Sequence, residues 1–249
     1  MSEQQETFIA HLIELRDHLM RIVIAIAIVF VGLMIWPGAA KIYDILAHPL
    51  MAALPDGAKM IATGVITPVL IPLKITGWLA LIITLPYALY QVWSFVAPGL
   101  YAHEKRIILP LVVASTLLFM LGMAFCYFFV FGKIFAVINE LAPRSITPAP
   151  DIENYLSFVL TMFLAFGVTF EIPVVVVALV RMGLVSVEKL KEIRSYVIVG
   201  AFVVAAVVTP PDALSQLMLA IPMCLLYEAG IIAASFIKRP EQSTRTESS

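Results

Sequence analysis

Four long, predominantly apolar runs decide what this chain can become: Leu19–Trp36, Ile75–Val96, Ile107–Phe131 and Tyr155–Val180. The hydrocarbon core of a bilayer is about 30 Å thick, and a helix needs roughly 20 apolar residues to cross it. Each run meets or approaches that length. Lipid offers the backbone no hydrogen-bonding partner, so such segments must be helical. Two shorter runs follow, Tyr196–Val208 and Leu217–Tyr227, separated by Thr209-Pro210-Pro211-Asp212. Tyr196–Val208 makes a helix of only about 20 Å. The last run extends to Ala213–Ile237 only by taking in Gln216 and Glu228. Charged residues make up 13% of the chain, about half of what a water-facing domain carries, so most of the surface faces lipid.

The resulting expectation is an all-α polytopic membrane protein of six transmembrane helices, the last two short. The spans fall at about 19–36, 75–96, 107–131, 155–180, 195–209 and 213–237. Residues 1–240 form a single domain, and the polar tail 241–249 is expected to be disordered in the cytoplasm. Lys and Arg set the orientation. With the N-terminus inside, eleven of the sixteen lie inside: Arg16, Arg21, Lys105, Arg106, Arg181, Lys189, Lys191, Arg194, Lys238, Arg239 and Arg245. Lys41, Lys59, Lys74, Lys133 and Arg144 remain outside. This is the positive-inside bias, and it places both ends in the cytoplasm. The outer loops, about 37–74 and 132–154, are long and rich in proline, whereas the inner ones, about 97–106 and 181–195, are short and charged.

A cleaved leader is not expected. The twenty residues before the first run carry Glu3, Glu6, Glu14 and Asp17 and read as a helix, not as a short basic n-region. In that helix Phe8, Leu12, Leu15 and Leu19 share a face, with Glu14, Asp17 and Arg21 opposite. Taken alone, this is a surface helix with internal pairs Glu14–His18 and Asp17–Arg21 at i,i+4 spacing.

Enzyme signatures fail on inspection. His103-Glu104 begins like a zinc-binding H-E-x-x-H, but Ile107 stands at the second histidine. Ser186 and Lys189 match S-x-x-K, yet Ser186 reads better as the N-cap of a short inner helix with Glu188 in its first turn. There is no phosphate-binding loop or dinucleotide fingerprint, and no cofactor or metal is expected. Cys126 and Cys224 lie inside apolar runs and read as small buried hydrophobes. A net charge of −1 excludes a broad basic surface for nucleic acid. The informative charges are those in lipid, Glu171 and Glu228, where an ionised carboxylate costs at least a few kcal/mol. Pro173 follows closely on Glu171 and favours a kinked, hydrated site, while Glu228 stands ten residues before Lys238 and equally suits a hydrated membrane edge. Gln216 adds a third polar group. A proton relay through Glu171 and Glu228, as in a secondary transporter, would favour paired halves, and no repeat of roughly 20–50 residues is present.

Longer motifs carry a resemblance. His11-Leu-Ile-Glu14-Leu-Arg16 precedes the first span, and Tyr90-Gln-Val-Trp-Ser-Phe95-Val-Ala-Pro98-Gly-Leu-Tyr101 is followed by His103-Glu104-Lys-Arg106. Phe166-Gly-Val-Thr-Phe-Glu171-Ile-Pro173 and Thr209-Pro-Pro-Asp212 with Gln216 complete the set. In this order, over nearly the whole chain, they resemble the TatC family, the multi-spanning receptor of the twin-arginine translocase. The resemblance implies a bacterial cytoplasmic (inner) membrane protein without enzymatic activity. It would bind twin-arginine signal peptides at its cytoplasmic face and move folded proteins outward on the proton-motive force. Implied partners are single-span proteins of the TatA and TatB type and further copies of itself. Also by resemblance, Glu14 and Glu104 take the arginines, with Arg16, Phe95, Pro98 and Leu100 around them. Glu171 faces a membrane cavity, Pro49 belongs to an outer cap over it, and Thr209, Asp212 and Gln216 form a docking cluster for a partner helix. Ala206 is smaller than the residue some relatives carry there, which bears on the extent of that cluster. A guanidinium can give a carboxylate two parallel hydrogen bonds, which lysine cannot.

Overall fold

The computed structural model describes residues 3–52, 61–96, 108–134, 151–209 and 212–236, with side chains of the first stretch described from Ile9 to Ile45. Pro98, Leu100 and Glu104 of the expected recognition site lie outside the described residues, as does the tail 241–249. Among the described residues the chain is helical, apart from turns and one isolated bridge between Ile61 and Asp151.

The amphipathic N-terminal segment and the first apolar run are one helix, α1 (Glu3–Ile35). Its 33 residues make a rod of about 50 Å, longer than a bilayer core is thick, so the amphipathic part extends past the apolar span. Gly38, at φ +94°, makes the turn that follows, a backbone shape open to residues without a Cβ. Then comes α2 (Ala39–Ala52), a helix inside the proline-rich segment between the first two apolar runs. Its Ile42 is buried with Ile71, Ile75 and Leu156, which ties α2 to the N-terminal ends of two longer helices.

α3 (Thr67–Val96) holds Pro72 and Pro86 within its length. The hydroxyls of Thr76 and Thr84 donate to the carbonyls of Pro72 and Ala80, both at 2.7 Å, so these polar side chains are satisfied within their own helix. α4 (Ile108–Phe125) runs into a π-helical turn, Cys126–Phe131. The wider turn brings Cys126, Val130 and Phe131 to the interior. α5 (Ile152–Phe170) starts at Asp151, whose Oδ1 accepts from the backbone N–H groups of Glu153 and Asn154 at 3.1 and 3.0 Å. α5 and α6 (Ile172–Arg181) form one apolar path broken at Glu171, where Pro173 stands in the first turn of α6 and supplies no N–H to the preceding turn. The kink expected at Glu171-Ile172-Pro173 is present. Ser186 caps α7 (Val187–Glu192) through Lys189 N at 3.1 Å, with Glu188 in the first turn, as expected. α8 (Arg194–Val208) and α9 (Ala213–Ser235) close the chain as a hairpin.

The largest core joins α4, its π turn, α5, α8 and α9 around Cys126, Met162, Phe166, Ala205 and Leu219. A second unites α6, α7 and α9 through Val176, Val180, Leu190 and Ile231. A third sets Trp93 of α3 and Val112 of α4 against Val174 and Ala178 of α6. α1 packs along α3 at the edge of this body, and none of its side chains from Ile9 to Ile35 is buried. Among the described residues five helical segments are long and apolar enough to cross a membrane, with α5 and α6 counted together, and α8 is a sixth, shorter apolar helix. The chain is therefore a nearly all-helical, multi-pass membrane protein.

Candidate functional site

Two polar sites stand out on this apolar scaffold. The first lies at the seam of α1 and α3. Residues His11, Glu14 and His18 are three and four apart on α1 and so share a face. Phe95 and Gln91 are four apart on α3 and present the opposing face. The His11 ring stacks on Phe95, centroids 4.6 Å apart with planes 24° from parallel, and His18 meets the same ring edge-on at 6.0 Å. His18 Nδ1 donates to the buried Gln91 Oε1 at 2.6 Å. Two histidines thus bracket Glu14, whose Oε2 lies 3.7 Å from His11 Nδ1. The Glu14 side chain keeps 46% of its surface. It opens into a groove of about 360 Å³ lined by Ala10, Ile13, Glu14, Asp17, His18 and Arg21.

The i,i+4 pairs expected within the N-terminal helix are replaced. Glu14 approaches His11 in place of His18, because His18 is held by Gln91. Asp17 accepts from Arg16 Nε and Nη2 at 3.1 and 2.9 Å in place of Arg21. Arg16 consequently points along the exposed side, 70% accessible, away from the Glu14–Phe95 seam. Of the residues expected at this site, Glu14 and Phe95 are brought together through His11. The sequence named His18 only as a partner for Glu14, and His11 and Gln91 only within motifs; their contacts across the α1–α3 seam were not anticipated. Their signal was the three-and-four spacing around Glu14 on α1 and the four-residue step from Gln91 to Phe95.

The second site is the break between α5 and α6. Trp93 Nε1 donates to Ser115 Oγ at 3.0 Å, and Ser115 is completely buried. Glu171 Oε1 is buried and has no hydrogen-bond partner among the described residues. A buried, unsatisfied oxygen is costly.

The other polar residues of the apolar region are used locally and do not converge on Glu171. Arg194 Nη2 donates to Glu228 Oε2 at 2.6 Å, tying α9 to the start of α8. Gln216 Nε2 donates to the Phe202 carbonyl at 3.2 Å, a clip across the α8–α9 hairpin. Thr209 is buried and donates to the Ala205 carbonyl at 2.8 Å, while Asp212 Oδ1 caps α9 by accepting from Ser215 N at 2.6 Å. Pro49 falls in α2, but its surroundings lie outside the described residues. Among the described residues no group of His, Cys, Asp and Glu could hold a metal ion.

The chain resembles known proteins over most of its length. The model of the Sec-independent protein translocase protein (TatC) family matches residues 10–222. The Sec-independent protein translocase protein TatC of Haemophilus influenzae is 45% identical over 254 residues, covering 98% of each chain. That of Escherichia coli strain K12 is 47% identical over 234 residues, covering 94% of this chain and 90% of its own. A crystal structure of the twin arginine translocase receptor TatC superposes with a TM-score of 0.78 at 38% identity, covering 90% of this chain and 98% of that one.

Proposed function

The chain belongs to the TatC family of Sec-independent protein translocase proteins, and from that premise we propose that the α1–α3 seam is where it receives twin-arginine signal peptides. It acts as the receptor and core subunit of the translocase, a transport component without a reaction of its own. It sits in the bacterial cytoplasmic membrane with six spans and both termini inside. TatA- and TatB-type single-span proteins and further copies of the chain complete the assembly, and the proton-motive force drives folded passengers outward.

The observation that carries this reading is Glu14, a half-exposed carboxylate that opens into a groove and lies 3.7 Å from His11, whose ring stacks on Phe95. A fully exposed ion pair is worth only about 0–1 kcal/mol. The His11–Phe95 stack beside Glu14 removes water from one side and strengthens a guanidinium pair formed there. Glu104 supplies the second acceptor, and Pro98 and Leu100 complete the apolar surround. Arg16 engages Asp17 and holds the helix surface without contacting the incoming arginines. Thr209, Asp212 and Gln216 shape the hairpin on which a partner helix docks, and α2 with Pro49 caps the outer end of the bundle.

The test is the affinity of the protein in nanodiscs for a signal peptide with two arginines and for the same peptide with two lysines. A preference of about tenfold or more for arginine, or 1.4 kcal/mol, is expected. It should disappear in Glu104→Ala and weaken in Glu14→Ala. Equal binding of both peptides sinks the recognition role.

A further inference from the structure

We propose that His18 is a positioning residue for Glu14: its hydrogen bond to Gln91 fixes the rotation of α1 on α3 and keeps the carboxylate turned to the groove. Packing alone does not fix that rotation. From Ile9 to Met20 every residue except His18 is exposed, so no buried side chain locks this half of the helix against its neighbour. Leu33 packs against the Ile42 cluster and Phe30 lies by Gly77 of α3, but Phe30 is about 24 Å along the helix from Glu14. Lipid adds no preference either, because the span from Ile22 to Ile35 is apolar all round. Among the described residues, His18–Gln91 is the one side-chain hydrogen bond that joins α1 to another helix.

Helix geometry says what a lost bond would do. Around the axis His18 lies between Glu14 and His11, about 40° from the first and about 20° from the second. A roll of about 40° therefore sets Glu14 where His18 stands, against Gln91, and takes it out of the groove. The bond is well placed to oppose that roll. Gln91 keeps only 4% of its surface, so water does not replace a lost partner and its amide is left unsatisfied. The same roll parts His11 from the face of Phe95 and His18 from its edge, contacts of 4.6 and 6.0 Å. Recognition then suffers selectively. A carboxylate takes two parallel hydrogen bonds from a guanidinium in few orientations, whereas an ammonium is a point charge approachable from many. A Glu14 free to roll loses its preference for arginine before its attraction for positive charge. The recognition half rests on the receptor reading above; the rotation of α1 does not.

The test compares His18→Asn with His18→Leu in the full-length protein in nanodiscs. Both side chains lack the ring and match closely in shape, but only the amide of the first can replace Nδ1 opposite Gln91. Leucine is the better helix former, so a loss in His18→Leu is not a loss of helix. Two quantities are read: the preference for a two-arginine over a two-lysine peptide, and the NMR signal of the His11 ring, assigned as the one lost in His11→Gln. His18→Leu should cut the preference by about fivefold or more, with the lysine peptide's Kd changed less than about threefold. It should also move the His11 signal off the position it holds over the Phe95 ring. His18→Asn should restore both readings. Gln91→Met removes the acceptor with little change of volume and should reproduce His18→Leu, which covers the case in which that variant fails to fold. Equal behaviour of His18→Asn and His18→Leu overturns the positioning role. A His11 signal that moves in His18→Leu alone, with the peptide preference intact, overturns the recognition half and keeps the rotation. Equal binding of both peptides by the unmodified protein counts against the receptor role, and the His11 signal then decides the rotation by itself.

Discussion

Asp151 shows how much one side chain at a helix start can hold. Its Oδ1 caps α5, while its Oδ2 accepts from Thr63 N and Thr63 Oγ1 at 3.1 and 2.6 Å, fastening the segment before α3 to the start of α5. Next to it, Glu153 accepts from Thr67 Oγ1 and Lys74 Nζ at 2.9 and 2.6 Å. The Thr63 hydroxyl, followed by the Asn154 and Thr63 backbone N–H groups, holds the Asp151 carboxyl below its ordinary value of 3.8. A carboxyl lowered in the folded state stabilises it at any pH above the unfolded value and loses that effect as pH falls through the folded one. Asp151→Asn should therefore lower the Tm of the detergent-solubilised protein at neutral pH. The gap to the unmodified protein should close in acid below 3.8, and a gap independent of pH would show that the charge of Asp151 contributes nothing.

Between elements, small residues set how closely helices approach. A Cβ added to Gly122 of α4 would lie 2.5 Å from the carbonyl oxygen of Phe166 and 3.0 Å from the Phe170 ring. Lipid supplies no hydrophobic drive for helices to associate, so close van der Waals contact of this kind holds such bundles together. Phe166 O belongs to the backbone of α5 and cannot swing aside. Gly122→Ala should separate α4 from α5 and cost about 1–3 kcal/mol, read as a lower Tm. Gly200 on α8 has nothing within 4 Å of a new Cβ, and Gly200→Ala should stay within about 0.5 kcal/mol. Equal effects of the two substitutions would rule out the close approach as the cause.

Over the whole molecule, the α1–α3 seam and the short α8 occupy different parts of the fold: α1 packs on α3, while α8 packs chiefly on α9. The 15 residues of α8 span about 22 Å, short of a bilayer core. Lipid must thin there, or companion helices must cover the mismatch. Inserting four leucines in α8 adds about 6 Å and removes the mismatch. Transport of a folded passenger should fall, while twin-arginine peptide affinity stays unchanged. Transport at the original rate would remove any role for a thinned membrane.

Apolar runs, prolines and caps were enough to read the all-helical, multi-pass character, the break at Glu171–Pro173 and the Ser186 cap, because each depends on neighbours within a turn or two of helix. Family motifs pointed to Glu14, Phe95 and Glu171 without saying what surrounds them. The partners came from the fold alone: His18 with Gln91, Trp93 with Ser115, Arg194 with Glu228, and Gln216 with the Phe202 carbonyl, at separations of 73, 22, 34 and 14 residues. In water, periodicity tells which face of a helix turns inward. In lipid nearly every face is apolar, so that signal fades, and only the packed arrangement decides which few polar groups meet.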